Sequence, residues 1–187
     1  MEPGKVVFKG KSEKGNDILI RYPSKNDAQA MCDYINALSS EQTFVRFQGE
    51  EISLEFESKY LAEQLRKIND KKTVQLLVFC ENKLIGISGI DMKDKTESHE
   101  GVFGVSLADE YRGEGIGKIL MQLTLDEAVK NIPQLRIVTL GVFGKNSLAI
   151  DMYKKFGFKE FGRLPSGVFR KGEYDDHVYM YKNVKED

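Results

Sequence analysis

The most informative stretch of this sequence is rich in glycine and reads Arg112-Gly113-Glu114-Gly115-Ile116-Gly117. An apolar run with strand character precedes it at 102–107, and apolar residues at steps of three and four follow it from 116 to 129, as in a helix. Alternate glycines let the backbone approach a ligand without a Cβ in the way, and the free N–H groups of the next helix point to the same place. The order of strand, glycine loop and helix therefore predicts a seat for a pyrophosphate, although such a turn can also serve tight packing alone.

Two common phosphate-binding motifs differ from this stretch in their spacing. A dinucleotide fingerprint would have a glycine or alanine three residues after Gly115, where Lys118 stands. A P-loop would have a glycine five residues before Gly117 and a serine or threonine after Lys118, but these positions hold Arg112 and Ile119. Both motifs are excluded.

A second motif lies further along the chain and consists of Asn146, Ala149, Tyr153 and Gly157-Phe158. Together with the glycine loop it resembles the GNAT superfamily of N-acetyltransferases, in particular those that act on protein alanine termini and on small amines. The resemblance covers nearly the whole chain from Asp17 onward. It implies that the loop binds the pyrophosphate of acetyl-CoA.

The apolar patterns predict a single α/β (α+β) domain over residues 1–187, with a polar lead at 1–16. We expect a mixed central sheet of about seven strands with four helices, in the order β-α-α-β-β-β-α-β-α-β-β, which matches the GNAT fold. Strands are predicted at 18–22, 74–80, 84–90, 102–107, 136–142, 158–164 and 175–181. Helices are predicted to begin near Ser24, Ser58, Ile116 and Asn146, with a hairpin turn at 81–83 and loops at 39–57 and 165–173.

Size and charge exclude several classes of protein. The chain has 187 residues, which is enough for a substantial core without disulfides. Its 28 basic and 29 acidic residues are well mixed, so there is no basic stripe for nucleic acid. Cys32 and Cys80 fall within apolar patterns and are predicted to be core thiols in a reducing compartment. His99 and His177 do not have the spacing of a metal-binding pair, so no metal is expected.

The resemblance assigns most contacts with acetyl-CoA to the main chain. The predicted cofactor-binding residues are Val105, Ser106, Leu107, Arg112, Gly113, Glu114, Gly115, Ile116, Gly117, Lys118 and Asn146. A gap beside the strand that ends at Leu107 is expected to take the pantetheine arm, with a backbone N–H near Leu107 facing the thioester oxygen. The side chain of Arg112 either contacts the cofactor or packs, and Asn146 can both cap its helix and touch the cofactor.

Tyr153 is the predicted catalytic side chain. The matching tyrosine of many family members returns a proton to the leaving thiolate, which a phenol with a pKa of about 10 can do. The sequence alone also allows Tyr153 to pack on a helix face with a structural role only.

The acceptor amine must lose a proton, since a lysine-like amine has a pKa of about 10.4. Ribosomal-protein alanine acetyltransferases use a glutamate on the strand before the last short helix, but the matching residue here is Gly141. Glu100 is the predicted catalytic base, with His99 as an alternative that acts directly or through water. Glu41 is a weaker candidate for holding a cationic amine. Water alone is a further alternative.

These observations predict an enzyme that moves the acetyl group of acetyl-CoA to a primary amine by direct attack. The acceptor is either a small molecule or a protein amino terminus or lysine, and the final strands could pair with a second copy in a homodimer. A CoA-binding sensor that has lost turnover is the alternative, favoured by Gly141. Residues 1–14 contain no apolar signal stretch, and no run is long enough to cross a bilayer, so we expect a cytoplasmic protein without a membrane partner.

Overall fold

The computed structural model describes residues 1–185 and contains eight strands, four α-helices and two short 3₁₀ turns in that part of the chain. The elements are β1 (Val6–Lys11), β2 (Asp17–Arg21), α1 (Ala28–Ser40), α2 (Leu54–Asn69), β3 (Thr73–Cys80), β4 (Lys83–Met92), β5 (Glu100–Leu107), α3 (Ile116–Asn131), β6 (Ile137–Phe143), α4 (Ser147–Lys155), β7 (Lys159–Arg170) and β8 (Glu173–Asn183). The predicted mixed α+β class and the order from β2 onward are confirmed.

All eight strands form one sheet in the order β1-β2-β3-β4-β5-β6-β8-β7. Neighbouring strands are antiparallel except for β5 and β6, which are parallel. The parallel pair needs a crossover connection, and α3 supplies it. The glycine loop lies at the start of this crossover, at the carboxyl end of β5.

Helices cover both faces of the sheet. Apolar residues of α3 and α4, such as Leu120 and Ile150, belong to a core that also includes alternate residues of most strands. On the opposite face, Met31 of α1 and Leu61 of α2 pack with Leu77 of β3. Because side chains alternate along a strand, the two faces of the sheet pack into two separate cores.

Local turn chemistry explains two element boundaries. Glu81 and Asn82, which join β3 to β4, both have positive φ, as a two-residue hairpin turn requires. Gly157 has a φ of +85° just after α4 and ends that helix in the left-handed region, as its sequence position predicts.

Helix α1 begins at Ala28 instead of near Ser24. Three further boundaries differ from the sequence-based expectation. Residues 6–11 form β1 within what was expected to be a polar lead, because they pair with β2. Helix α2 begins at Leu54 instead of Ser58, since the side chain of Ser53 caps it by accepting the N–H of Phe56.

The third difference concerns the last hairpin, in which β7 and β8 extend through most of the expected loop at 165–173. Strand β7 pairs only with β8, so Pro165 lies on an edge strand, where its missing N–H is tolerated. The register shifts between Leu164 and Val168, which accommodates the proline. No helix in residues 1–185 is both long and apolar enough to span a membrane.

Candidate active site

The glycine loop between β5 and α3 holds two glycines in the left-handed region. Gly113 has a φ of +72°, and Gly115, the N-cap of α3, has a φ of +75°. Within the described residues, none of the backbone N–H groups from 113 to 117 donates a hydrogen bond. Consecutive free donors at the positive end of a 16-residue helix are suited to an anion.

The β1–β2 hairpin anchors this loop through Glu114. The buried carboxylate of Glu114 accepts hydrogen bonds from Ser12 Oγ at 2.7 Å and from Asn16 Nδ2 at 2.8 Å. The N–H of Glu13 donates to the Glu114 carbonyl at 2.9 Å. The hydrogen bond from Ser12, then that from Asn16 and the charge of Lys14, lower the pKa of Glu114 below its usual range against the effect of burial. The side chain of Glu114 thus fixes the loop while its N–H stays free.

The side chain of Arg112 is directed toward the protein. Its Nε and Nη2 atoms donate to the carbonyl of Leu107 at 3.0 and 2.8 Å, and Nη1 donates to Asp109 at 2.7 Å. Arg112 also forms an ion pair with Glu41, which follows α1. The sequence allows Arg112 either to contact the cofactor or to pack against the protein, and in the structure its side chain packs against the protein. A contact with the pyrophosphate stays a prediction, as does the holding of an amine by Glu41.

Strands β5 and β6 form a wedge that opens toward the glycine loop. Their pairing ends at Val102 and Thr139, although β5 continues to Leu107 and β6 to Phe143. We call the end at Val102 and Thr139 the closed end and the end at Leu107 the open end. A parallel pair that separates in this way leaves backbone groups without strand partners.

The direction of these groups follows from the pairing of β5 with β4. The N–H of Ala108 donates to the carbonyl of Ile85, so alternate N–H groups point toward β4. Those of Val105 and Leu107 must therefore point into the wedge. The side chain of Ser106 points to the α1 face, where its hydroxyl accepts a hydrogen bond from Tyr34 at 2.9 Å.

Tyr153 lies in the core on the α3 and α4 face, next to the closed end of the wedge. Its ring is edge-on to Phe103 of β5, with centroids 6.2 Å apart, and tilted on Phe158 at 6.1 Å. In the part of the chain described, its hydroxyl has no hydrogen-bond partner. Burial raises the pKa of Tyr153 to about 12. The phenol is therefore protonated at neutral pH and free to donate.

The contact of Tyr153 with β5 lies on the N-terminal side of Leu107. Tyr153 contacts β5 at Phe103, and four residues of a strand span about 13 Å. Leu107 instead lies at the open end, beside the glycine loop. The roles expected for an N–H near Leu107 and for Tyr153 as the acid stay predictions.

Two further predicted cofactor contacts lie around the glycine loop and α4. Asn146 caps α4, because its Oδ1 accepts the N–H of Ala149 at 3.2 Å. The side chain of Lys118 is exposed and lies 4.0 Å from Glu13. The predicted cap is confirmed, while the contacts of Asn146 and Lys118 with a cofactor stay predictions.

The predicted base Glu100 lies just before the closed end, on the face of the sheet that carries Val102. Its carboxylate pairs with Lys93 at 2.8 Å and accepts a hydrogen bond from Thr139 at 2.7 Å. Burial raises the pKa of Glu100, but Lys93 and Thr139 outweigh it and hold the pKa below the usual range. A paired carboxylate of this kind is a weak proton acceptor. The alternative base, His99, is exposed at the preceding turn.

Sequence reasoning missed the neighbour of Gly141. A Cβ at Gly141 would lie 2.3 Å from Nε2 of His177, so the imidazole occupies the space of the absent side chain. His177 comes from β8, where it pairs with Phe143 of β6. Only the register of β6 against β8 brings Gly141 and His177 together, and the spacing of the residues along the chain does not reveal that register.

Cys32 and Cys80 are both buried and free, as expected. Among residues 1–185, no group of three or more His, Cys, Asp or Glu side chains is arranged to hold a metal ion.

Comparison with known proteins agrees with these features. A model described as the acetyltransferase (GNAT) family matches residues 34–158. The L-amino acid N-acetyltransferase AaaT of Escherichia coli (strain K12) is 30% identical over 116 residues, which are 61% of this chain and 71% of that protein. Spermidine N(1)-acetyltransferase of Vibrio cholerae is 33% identical over 79 residues, 42% of this chain and 45% of that enzyme. The crystal structure of a GNAT-family acetyltransferase from Streptococcus pneumoniae superimposes with a TM-score of 0.82 at 24% identity, and the alignment covers 90% of this chain and 99% of that one.

Proposed function

The chain belongs to the GNAT acetyltransferase family, and we propose that it moves the acetyl group of acetyl-CoA to a primary amine by direct attack. The observation that carries this proposal is the run of free backbone N–H groups from 113 to 117 at the start of α3. These donors would hold the pyrophosphate of the donor, because an anion at a helix N-terminus is stabilised by the N–H groups and by the helix dipole.

The wedge between β5 and β6 would take the pantetheine arm. Its open end lies beside the pyrophosphate seat, and the N–H groups of Val105 and Leu107 point into it. The arm contains two amides, whose carbonyl oxygens can accept such N–H groups. A thioester next to Tyr153 would lie nearer to Val105 than to Leu107, since Tyr153 contacts β5 at Phe103. We therefore assign the stabilisation of the thioester oxygen to the N–H of Val105.

The reaction joins the amine nitrogen to the thioester carbon and breaks the carbon–sulfur bond. A protonated acceptor amine loses two protons on its way to the amide and the departing thiolate gains one, so each turnover releases one proton to the solvent. Tyr153 would supply the proton that the thiolate gains, because its phenol is protonated and its hydroxyl is not committed to another described residue.

The acceptor is proposed to be a small primary amine or an amino terminus. The relatives with the longest aligned stretches carry the names of an L-amino acid N-acetyltransferase and of spermidine acetyltransferases. Both names denote acetylation of an aliphatic amine. An L-amino acid series and a polyamine series are therefore the first acceptors to test.

Release of the free CoA thiol across amino acids, polyamines and amino-terminal peptides tests this proposal. We expect release above the hydrolysis background for at least one acceptor, together with an acetylated product of the expected mass. Binding of acetyl-CoA is measured in parallel by the shift in melting temperature, since a ligand at 100 times its Kd stabilises by about 2.7 kcal/mol. A protein that shows neither binding nor thiol release would refute the proposal.

A CoA-binding sensor is the second candidate, and the absence of a glutamate at Gly141 favours it. Such a protein would bind CoA and acetyl-CoA through the same loop but release no thiol with any acceptor. The thiol assay and the melting shift together separate the two candidates.

A further inference from the structure

Two glycines, one on each of the strands that flank β8, make room for the side chain of His177. A Cβ at Gly141 of β6 would lie 2.3 Å from His177 Nε2, and a Cβ at Gly167 of β7 would lie 2.9 Å from His177 Cβ. Real Cβ atoms essentially never approach other atoms so closely. The conformation of His177 thus depends on the absence of a side chain at both positions.

We propose that His177 is the proton acceptor for the incoming amine, acting from the space above Gly141. This inference rests on the proposed acetyl transfer. It assigns the role to a residue that is distant in sequence from both GNAT-like motifs and lies outside the stretch matched by the family model.

The position of His177 relative to the wedge supports this role. Gly141 is two residues beyond Thr139, where the pairing of β5 and β6 ends, so the ring lies beside the wedge near its closed end. Leu140 and Val178 point into the core that contains Tyr153. Because side chains alternate along a strand, Gly141 and His177 lie on the opposite face of the sheet.

A proton acceptor and a proton donor on opposite faces suit this reaction. The amine approaches the thioester carbon from one side of its plane and displaces the sulfur. The His177 face would take the proton of the amine nitrogen, and the Tyr153 face would return a proton to the sulfur. His177 would then pass its proton to the solvent and Tyr153 would regain one from it, so both groups are restored and the enzyme needs no other reactant.

The surroundings of His177 leave its nitrogens available. Within residues 1–185 the ring makes no hydrogen bond, and it stacks against Tyr179 with centroids 4.4 Å apart. Burial lowers the pKa of His177, so the imidazole is neutral at physiological pH and can accept a proton.

Few charged groups face this ring. On β6 its neighbours Gly141 and Phe143 are uncharged, and on β7 they are Leu164 and Gly167. On β8 the nearest acidic group on the same face is Asp175.

Two aspartates lie near the ring, and both accept hydrogen bonds from other groups. Asp175 accepts the N–H of Lys145 at 2.9 Å, and Asp176 pairs with Arg163 at 3.3 Å. Tyr179, against which the ring stacks, is the remaining titratable neighbour. Burial, and not a nearby charge, therefore sets the ionisation of His177.

The first test compares His177→Gln with His99→Gln, because these are the only two histidines in the chain. Glutamine keeps a polar side chain of similar reach but cannot accept a proton near neutral pH. We expect kcat/KM of His177→Gln to fall by about 10²-fold or more, in the range for loss of a general base. His99→Gln tests the alternative base, and a loss of activity confined to His99→Gln would overturn the inference. Melting temperature and the Kd for acetyl-CoA should match the wild type in both variants.

The pH profile provides a readout that a structural role would not change. In the wild type, kcat/KM should fall as the pH drops through the pKa of His177, which lies below the usual 6.5. In His177→Gln this acid limb should disappear, whereas the limb due to the acceptor amine stays. The two imidazole signals in an NMR titration, assigned with His99→Gln, locate the pKa independently of turnover.

The second test moves the base to the neighbouring strand. In Gly141→Glu the new side chain collides with His177, so activity should fall. In the double variant Gly141→Glu with His177→Ala the glutamate has the space of the ring, and part of the activity should return relative to His177→Ala alone. Activity can return only in a folded protein, so a recovery would show that the loss of activity in the single variant is not due to unfolding.

The outcomes separate this inference from the proposed function. Wild-type protein without thiol release on any acceptor refutes acetyl transfer, and the role of His177 with it. An active wild type with an equally active His177→Gln and an unchanged acid limb overturns the inference alone. Loss of activity in Glu100→Gln, with none in His177→Gln, would assign the proton to Glu100 instead.

Discussion

Replacement of Gly113 by alanine should weaken the binding of acetyl-CoA through the backbone alone. Gly113 has a φ of +72°, and a Cβ built there would have no described atom within 4 Å. The substitution thus creates no clash, only the left-handed strain of about 1–2 kcal/mol for a residue with a side chain. If the loop relaxes to relieve this strain, its N–H groups turn away from the diphosphate. One lost hydrogen bond to a charged group is worth about 1.5–3 kcal/mol, so we expect Kd to rise by roughly 10- to 100-fold.

Gly172→Ala is the matched control for this experiment. Gly172 lies in the β7–β8 turn with a φ of +79°, and its Cβ position is equally open among the described residues. Chemical denaturation should show a similar, small loss of stability in both variants, while calorimetric titration with acetyl-CoA should show a loss of affinity only for Gly113→Ala. Acetyl-pantetheine, which lacks the diphosphate, should bind both variants and the wild type alike. If Gly113→Ala binds acetyl-CoA within twofold of the wild type, the loop does not hold the diphosphate.

Two further predictions concern Tyr153 and Glu114. Tyr153→Phe should lower the rate of thiol release by roughly 10²-fold, as for loss of a general acid. The Kd for acetyl-CoA and the melting temperature should not change, because the hydroxyl has no hydrogen-bond partner among the described residues. An unchanged rate would remove Tyr153 from the mechanism. Glu114→Gln should lower the melting temperature at neutral pH, because Ser12 and Asn16 stabilise the ionised carboxylate. Since the folded-state pKa lies below the usual 4.5, this difference should persist above pH 4.5 and vanish as the pH falls through the folded-state value, and a difference that grows in acid would contradict it.

The elements that local rules determine were predictable from the sequence. The glycine loop, the cap at Asn146 and the turn at 81–82 each depend on residues that are close together in the chain. The apolar period of α3 correctly predicted the burial of Ile116 and Leu120, whereas Ile119 and Leu123 are only partly buried against the same core. These features were enough to predict the class of fold and the donor half of the candidate site.

The features that depend on strand pairing were not predictable in this way. The sequence of β1 has only a weak strand pattern, and β1 forms because its backbone pairs with the edge of β2. The anchor from Ser12 to Glu114 joins residues 102 positions apart. The approach of His177 to Gly141 depends on the register of β6 against β8, which a single sequence does not determine.

The β1–β2 hairpin holds the glycine loop in place, although the two lie far apart in sequence. Ser12 and Asn16 stand at the two ends of the turn between β1 and β2, and both grip the same carboxylate. A proteolytic nick or an insertion at the tip of this turn would loosen the anion seat and leave both cores and the reacting side chains in place. The affinity for the donor could therefore be tuned, in evolution or in the laboratory, by editing this turn, whose Glu13 side chain lies against Gly115.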